Sequence, residues 1–201
     1  MNDYLIQTKY AASSLIDLIR TEEIALRDFL SSLSSFKRIH QILYNDFRRK
    51  EFDPDDHFDD FQVMHAFARQ AQAREQVDSL ENKIETLKMS ISSKEESIKT
   101  LSGALLQIAK QGISTVHNGL RNCPSGRMVN NEPLKNVIWQ GRNQSMHYEE
   151  PFRRSEHRHV IDCFSRLNIP LENINLAKEI IDLLEWKTYE QYENDLISLL
   201  G

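Results

Sequence analysis

Glycine and proline are scarce in this chain of 201 residues, which holds six glycines and five prolines. No glycine precedes Gly103, and Pro54 is the only proline before that position. A β-protein needs many turns, and glycine and proline make a large share of them. Their near absence from the first half of the chain therefore argues against strands there and predicts long helices.

The chain also has only two cysteines, fewer basic than acidic residues, and no long apolar run. Cys123 and Cys163 could form only one disulfide, and the polar first residues do not resemble a signal peptide, so we expect reduced thiols and a cytoplasmic protein. The net charge of −5 excludes a general attraction to nucleic acid and leaves only a local basic patch for such contact. Because no apolar run approaches the roughly 20 residues of a membrane span, we expect no membrane partner.

Apolar residues recur at alternating gaps of three and four along the first fifty residues, which is the pattern of a coiled-coil seam. Thr8, Glu22 and His40 are its polar exceptions, and for His40 a packing role is favoured over a ligand role. The apolar seam positions are Leu5, Ala12, Leu15, Ile19, Leu26, Phe29, Leu33, Phe36, Leu43 and Phe47.

A second seam follows the segment EFDPDDH at 51–57, which predicts a turn and then a helix start. Lys94 is the single polar position in this seam. The apolar positions are Val77, Leu80, Ile84, Leu87, Ile91, Ile98, Leu101, Leu105 and Ile108. Two seams joined by a short turn predict an antiparallel helical hairpin, although a parallel dimeric coiled coil of the second helix remains open.

The composition changes after Asn118. Residues 119–133 contain two glycines and two prolines, which predicts a loop. Three helices are expected beyond it, at about 132–149, 153–167 and 174–199, the last with a possible break near Thr188. Since no segment has the pattern of a strand, the predicted fold class is all-α.

The segment GRNQSMHYEEP, residues 141–151, brings Arg142, Asn143 and His147 together within the first of these helices. On a helical wheel the opposite face packs inward. The inward residues are Leu134, Val137, Ile138 and Gly141. Asn143 and His147 then share the outward face, and Arg142 lies on the flank.

These three residue types suit phosphodiester cleavage. An imidazole can move a proton, a guanidinium can hold phosphate oxygens, and an amide can orient both. Metal is not required when the RNA 2′-hydroxyl is the nucleophile. We expect Trp139, Tyr148 and Glu150 to support this site, and the exposed Trp139 and Met146 indicate a face that a partner surface covers.

The arrangement Arg142-Asn143-x-x-x-His147 resembles the R-x(4–6)-H signature of the HEPN superfamily, whose all-α domains dimerise to join two copies of the motif in one cleft. Many members are metal-independent endoribonucleases of toxin–antitoxin and abortive-infection systems. The resemblance implies that Arg142, Asn143 and His147 are the catalytic residues, that RNA is the substrate, and that no cofactor is needed. It also implies a 2′,3′-cyclic phosphate product.

Other interpretations of these residues remain. The outward residues of this helix could be a solvated face, with His147 and Glu150 forming a plain i,i+3 pair. Arg154 and His159 also fit R-x4-H, but without the asparagine. A zinc site of His147, His157 and His159 is disfavoured because His-x-His does not share a helical face.

The segment at 153–159 is the densest in positive charge. Arg153, Arg154 and Arg158 are the candidate RNA-binding residues, with a solvated basic face as the equally favoured alternative.

The predicted organisation is a HEPN-like bundle formed by 1–20 and 98–201, with 21–97 as a coiled-coil hairpin arm. The predicted function is an endoribonuclease active as a homodimer, in a toxin or anti-phage defence module restrained by an antitoxin or effector protein. The alternatives are a non-catalytic scaffold that binds partners through the heptads, and a nucleotide sensor.

Overall fold

The computed structural model describes residues 2–49 and 60–201 of the chain. The described residues are almost entirely helical, which confirms the all-α class. The helices are α1 Asp3–Arg49, α2 Asp60–His117, α3 Leu134–His147, α4 Arg154–Leu167, α5 Ala177–Leu184 and α6 Tyr189–Leu200. The turn predicted at 51–57 lies outside the described residues.

The chain divides into two compact units. The first, called the bundle unit, comprises Met1–Glu23 and Glu96–Gly201, and the second, called the helix-pair unit, comprises Ile24–Glu95. The sequence predicted boundaries at 20/21 and 97/98. That the second unit forms a projecting arm remains a prediction.

Helices α1 and α2 pair along the predicted seams. Every described seam position of both helices is buried or half-buried. In the bundle unit the Tyr4 hydroxyl donates to the Ile108 carbonyl at 2.7 Å, and in the helix-pair unit His40 Nε2 lies 3.0 Å from Glu81 Oε1. The residue farther along α1 contacts the residue nearer the start of α2, which is the order of contacts in an antiparallel pair.

The bundle unit has a fully buried core to which both long helices and all the short helices contribute. Its members with 0% to 1% exposed surface include Leu5, Leu105, Leu106, Ile113, Leu134, Ile138, Phe164, Ile180, Leu184, Tyr192, Leu196 and Leu199. Burial of such side chains from water is the main favourable term in folding. This core fixes the position of α3, which carries the candidate site.

The expectation that no segment forms a strand was wrong in one small place. Met128–Val129 and Glu132–Pro133 form a two-residue antiparallel ladder, with Asn130 at a φ of +51° in the turn between them. Glu132 is 2% exposed and accepts hydrogen bonds from Asn136 Nδ2 at 2.7 Å and from Arg166. The ladder therefore delays the start of α3 to Leu134, two residues later than predicted.

The last predicted helix, 174–199, is two helices. The chain leaves α5 at Glu185, whose φ is +59°, and re-enters a helix at Tyr189. Thr188 and Gln191 form a capping box, which satisfies backbone amides at the start of α6. The possible break near Thr188 is thus a complete interruption.

Candidate functional site

Helix α3 has the two faces that the helical wheel predicts. Leu134, Val137 and Ile138 are each 0% exposed, and Gly141 is buried beside α5. A Cβ atom built on Gly141 would lie 3.0 Å from Ile180 Cγ2. The glycine that opens the motif therefore serves helix packing, which brings α3 close to α5 and turns Asn143 and His147 outward.

His147 occupies the last turn of α3 and pairs with Glu150. Its Nδ1 lies 3.0 Å from Glu150 Oε1, and the two side chains are 50% and 60% exposed. An ionised carboxylate only accepts hydrogen bonds, so a neutral His147 ring in this contact carries its proton on Nδ1. The neutral ring then presents the lone pair of Nε2, which is the nitrogen able to accept a proton from a substrate.

His147 faces a cleft of about 350 Å³ between α3 and the start of α4. Asn143 and Trp139 line the cleft from α3, and His157 and His159 line it from α4. The cleft combines an aromatic surface, three imidazoles and the amides of Gln140 and Asn143, with Glu150 beside His147. This combination suits a small polar ligand with a flat ring.

Arg142 does not join this cleft. Its Nε donates to Gln107 Oε1 on α2 at 2.5 Å, and the guanidinium is half-buried there. His147 lies five positions after Arg142, which places the two side chains about 140° apart around the helix at about 100° per residue. A single copy of α3 therefore does not bring the predicted catalytic pair together. Asn143 does line the cleft, where its Nδ2 donates to Gln140 Oε1 at 3.2 Å.

The predicted supporting residues have different surroundings. Trp139 is half-buried rather than exposed, because its ring packs under the Lys110 ammonium, 4.4 Å from the ring centroid. Met146 is 57% exposed, as expected. Tyr148 caps the end of α3 outside the cleft lining, and the carboxylate of Glu149 raises the pKa of its phenol. Of the three supporting residues, Trp139 and Glu150 lie at the cleft.

The predicted RNA-binding arginines lie at the start of α4. Arg153 is exposed at the N-cap position, and Arg154 and Arg158 extend over the first turns. Arg154 Nη2 and Arg158 Nε both lie 3.4 Å from the carboxylate of Asp162. Since both guanidinium groups are more than 70% exposed, these pairs are weak and leave the arginines accessible to an anion.

His157 and His159 also line the cleft, although the sequence did not predict them as site residues. His157 has a φ of −115° and a ψ of 24°, outside the helical range, so the regular helical wheel does not apply across it. Among the residues that the structure describes, no group of three or more His, Cys, Asp or Glu side chains is arranged to hold a metal ion.

The two cysteines are buried free thiols. Cys163 is 1% exposed, and burial raises its pKa to about 12. Burial also raises the pKa of Cys123, which is 3% exposed although it lies in the predicted loop. Neither thiol has the lowered pKa of a nucleophile, so cysteine chemistry does not compete with the imidazoles.

Comparison with protein-family models, with curated proteins and with solved structures gives no match for this chain. Within residues 2–49 and 60–201, no helix is both long enough and apolar enough to cross a membrane.

Proposed function

We propose that this protein is a metal-independent endoribonuclease of HEPN type, with His147 as the proton acceptor. The observation that carries the proposal is the hydrogen-bonded pair of His147 Nδ1 and Glu150 Oε1, at 3.0 Å, on the wall of a cleft. A carboxylate that holds one imidazole nitrogen orients the ring and stabilises the cation formed when the other nitrogen takes a proton.

The chemistry assigned to the cleft is transesterification of RNA. His147 Nε2 takes the proton of a 2′-hydroxyl, and the 2′-oxygen attacks the adjacent phosphorus. The bond from phosphorus to the 5′-oxygen breaks, and that oxygen takes a proton from water to become the 5′-hydroxyl of the second product, while the protonated His147 returns its proton to solvent. The first product ends in a 2′,3′-cyclic phosphate. Asn143, one helical turn before His147, is placed to orient the substrate by hydrogen bonds.

In the proposed enzyme, Arg142 of a second copy of the chain completes the site. Because Arg142 and His147 diverge by about 140° on α3, a site that uses both is best assembled from two chains in a homodimer. The hydrogen bond to Gln107 occupies Nε and leaves the two terminal nitrogens of the guanidinium for phosphate oxygens. Arg153, Arg154 and Arg158 would follow the RNA backbone beside this site.

The biological setting belongs to the same proposal. A ribonuclease acting inside a cell needs restraint, which favours a toxin or anti-phage defence module with an antitoxin or effector partner. The two free thiols are compatible with the reducing cytoplasm.

The test is incubation of wild type and His147→Ala with a single-stranded RNA and with DNA of the same sequence, in EDTA. The proposal predicts that wild type cleaves only the RNA and that the variant does not cleave it. Cleavage that requires added metal, or equal cleavage by both proteins, would contradict it. A circular dichroism melt of both proteins checks that the variant is folded.

A second candidate function is partner binding without catalysis, and one observation favours it. An open groove of about 940 Å³ lies between the helices of the helix-pair unit, and Phe29, Phe36 and Leu87 contribute to its apolar lining. Such a groove fits a third amphipathic helix. Absence of cleavage in a dimeric protein that still binds a partner through Phe29 and Phe36 would support this function over the first.

The nucleotide sensor is a variant of this alternative. A rise in melting temperature with a nucleotide, without cleavage of RNA, would support it.

A further inference from the structure

The imidazoles of His147 and His157 face the same cleft with opposite hydrogen-bonding character. Glu150 accepts from Nδ1 of His147, which leaves Nε2 of the neutral ring as an acceptor. For His157 the direction of the hydrogen bond at Nδ1 is reversed. The backbone N–H of Arg153 donates to its Nδ1 at 3.3 Å, and a backbone amide has no other role available. The proton of the neutral His157 ring must therefore be on Nε2, which makes that nitrogen a donor.

The orientation of His157 is held by its surroundings. Phe152 packs against the imidazole edge to face, with the ring centroids 5.5 Å apart and the planes at 76°. The side chain is half-buried, unlike that of its neighbour His159, which is exposed. A ring fixed by an aromatic contact and a backbone hydrogen bond presents its Nε2–H in a defined direction, as a binding group must.

We propose that the cleft binds a ribonucleoside 3′-phosphate unit, with the His157 Nε2–H donating to a phosphate oxygen and His147 Nε2 accepting from the ribose 2′-hydroxyl. This assignment rests on the proposed function for its choice of RNA as the ligand. It goes beyond that function in giving the phosphate contact within one chain to His157, and in making His147 the residue that distinguishes ribose from deoxyribose.

The other residues of the cleft agree with a single phosphate and a base. Trp139 offers an aromatic surface on which a base stacks without sequence preference. Glu150 and Glu156 also line the cleft, and their negative charge disfavours a triphosphate. A monophosphodiester held by neutral donors is the ligand that such a cleft accepts with the least repulsion.

The first test measures binding of uridine 3′-monophosphate and 2′-deoxyuridine 3′-monophosphate by titration calorimetry. We expect wild type to prefer the ribonucleotide about 3- to 10-fold, the contribution of one hydrogen bond. In His147→Ala the preference should fall to about one. A His147→Ala variant that retains the wild-type preference, or wild type that binds neither ligand, would overturn the proposal.

The second test separates phosphate binding by His157 from a purely structural role. His157→Asn can keep an acceptor for the Arg153 N–H but removes the distal donor, whereas His157→Gln loses the local acceptor and can place an N–H near the position of Nε2. We expect His157→Asn to bind both nucleotides about tenfold more weakly than wild type, with the ribose preference intact. His157→Gln should lose less affinity. A structural role predicts the reverse order: His157→Gln would bind the nucleotides more weakly than His157→Asn and would melt at a lower temperature.

Failure of this inference is distinguishable from failure of the proposed function. If RNA is not cleaved but the ribose preference depends on His147 and the phosphate affinity on His157, the binding assignment stands and catalysis does not. If RNA is cleaved while His157→Asn and His157→Gln bind the nucleotides with equal affinity, catalysis stands and the assignment of the phosphate contact to His157 is overturned.

Discussion

The bundle unit and the helix-pair unit bury their apolar side chains to different depths. In the bundle unit Leu134 and Leu196 are 0% exposed, whereas the seam leucines Leu26 and Leu33 of the helix-pair unit are only half-buried. Two helices cover only one side of each other, and full burial needs neighbours on several sides. The difference indicates that the bundle unit holds most of the stability and the rigid support that a reactive site requires.

The two units also contain matched histidine–carboxylate pairs. His147 and Glu150 in the bundle unit are joined at 3.0 Å, and so are His40 and Glu81 in the helix-pair unit. His147 lines a cleft with two further imidazoles, while His40 lies on the helical seam beside Tyr44. We therefore propose a chemical role for the pair in the bundle unit and a pairing role for the pair in the helix-pair unit.

The largest expected effect contrasts the two histidines. Replacing His147 by alanine should lower the RNA cleavage rate about 10²- to 10⁴-fold, the usual contribution of a general base. His40→Ala, which removes a pair of equal length, should change the rate less than twofold. Initial rates at one enzyme concentration measure both. Equal losses in the two variants would show that the two pairs do not differ as described.

A leucine pair tests the difference in burial. Leu134→Ala should lower the free energy of unfolding by about 3 kcal/mol, because a fully buried leucine leaves a cavity. Leu33→Ala, at a half-buried seam position, should cost about 1 kcal/mol. Urea unfolding followed by circular dichroism gives both values. A larger loss for Leu33→Ala would place the main core in the helix-pair unit instead.

Two helical glycines of the bundle unit test its packing through smaller changes in stability. A Cβ on Gly141 would lie 3.0 Å from Ile180 Cγ2, so Gly141→Ala should destabilise the protein by about 1 kcal/mol through crowding. A Cβ on Gly103 meets its nearest atom, Ser145 Oγ, at an ordinary 3.5 Å. Gly103→Ala should therefore stabilise α2 by about 0.5 kcal/mol. Thermal melts of both variants should shift in opposite directions, and shifts of one sign would contradict this packing.

The smallest effect concerns the thiol of Cys163. Since burial raises its pKa to about 12, only about one thiol in ten thousand is ionised at pH 8. Iodoacetamide should leave Cys163 unmodified in the folded protein at pH 8 and modify it fully in urea. Mass spectrometry of the digested protein reports the modification. Rapid labelling without denaturant would show that the bundle unit opens around α4.

The features that the sequence predicted are those with a local cause. The seams of α1 and α2 and the inward face of α3 follow from residue spacing within one helix, and each is confirmed by burial. The direction of Arg142 depends on Gln107, which lies 35 residues earlier in the chain. Spacing within α3 contains no information about that contact.

Other features of the site depend on backbone geometry that spacing does not encode. The backbone at His157 departs from helical φ and ψ, and both His157 and His159 line the cleft. The two-residue ladder at Glu132 and Val129 is likewise too short to produce an alternating pattern. Pro151 and Phe152, just before α4, were the available sign that this helix begins irregularly.

The most direct test of the central claim is the chemistry of the RNA ends. Wild type should be incubated in EDTA with an RNA oligonucleotide, and the fragments analysed by mass spectrometry. Attack by the 2′-oxygen should give 2′,3′-cyclic phosphate and 5′-hydroxyl ends, and no cleavage at a linkage whose 2′-hydroxyl is replaced by hydrogen. Fragments with 3′-hydroxyl and 5′-phosphate ends, or cleavage at the 2′-deoxy linkage, would contradict proton abstraction by His147 from the 2′-hydroxyl.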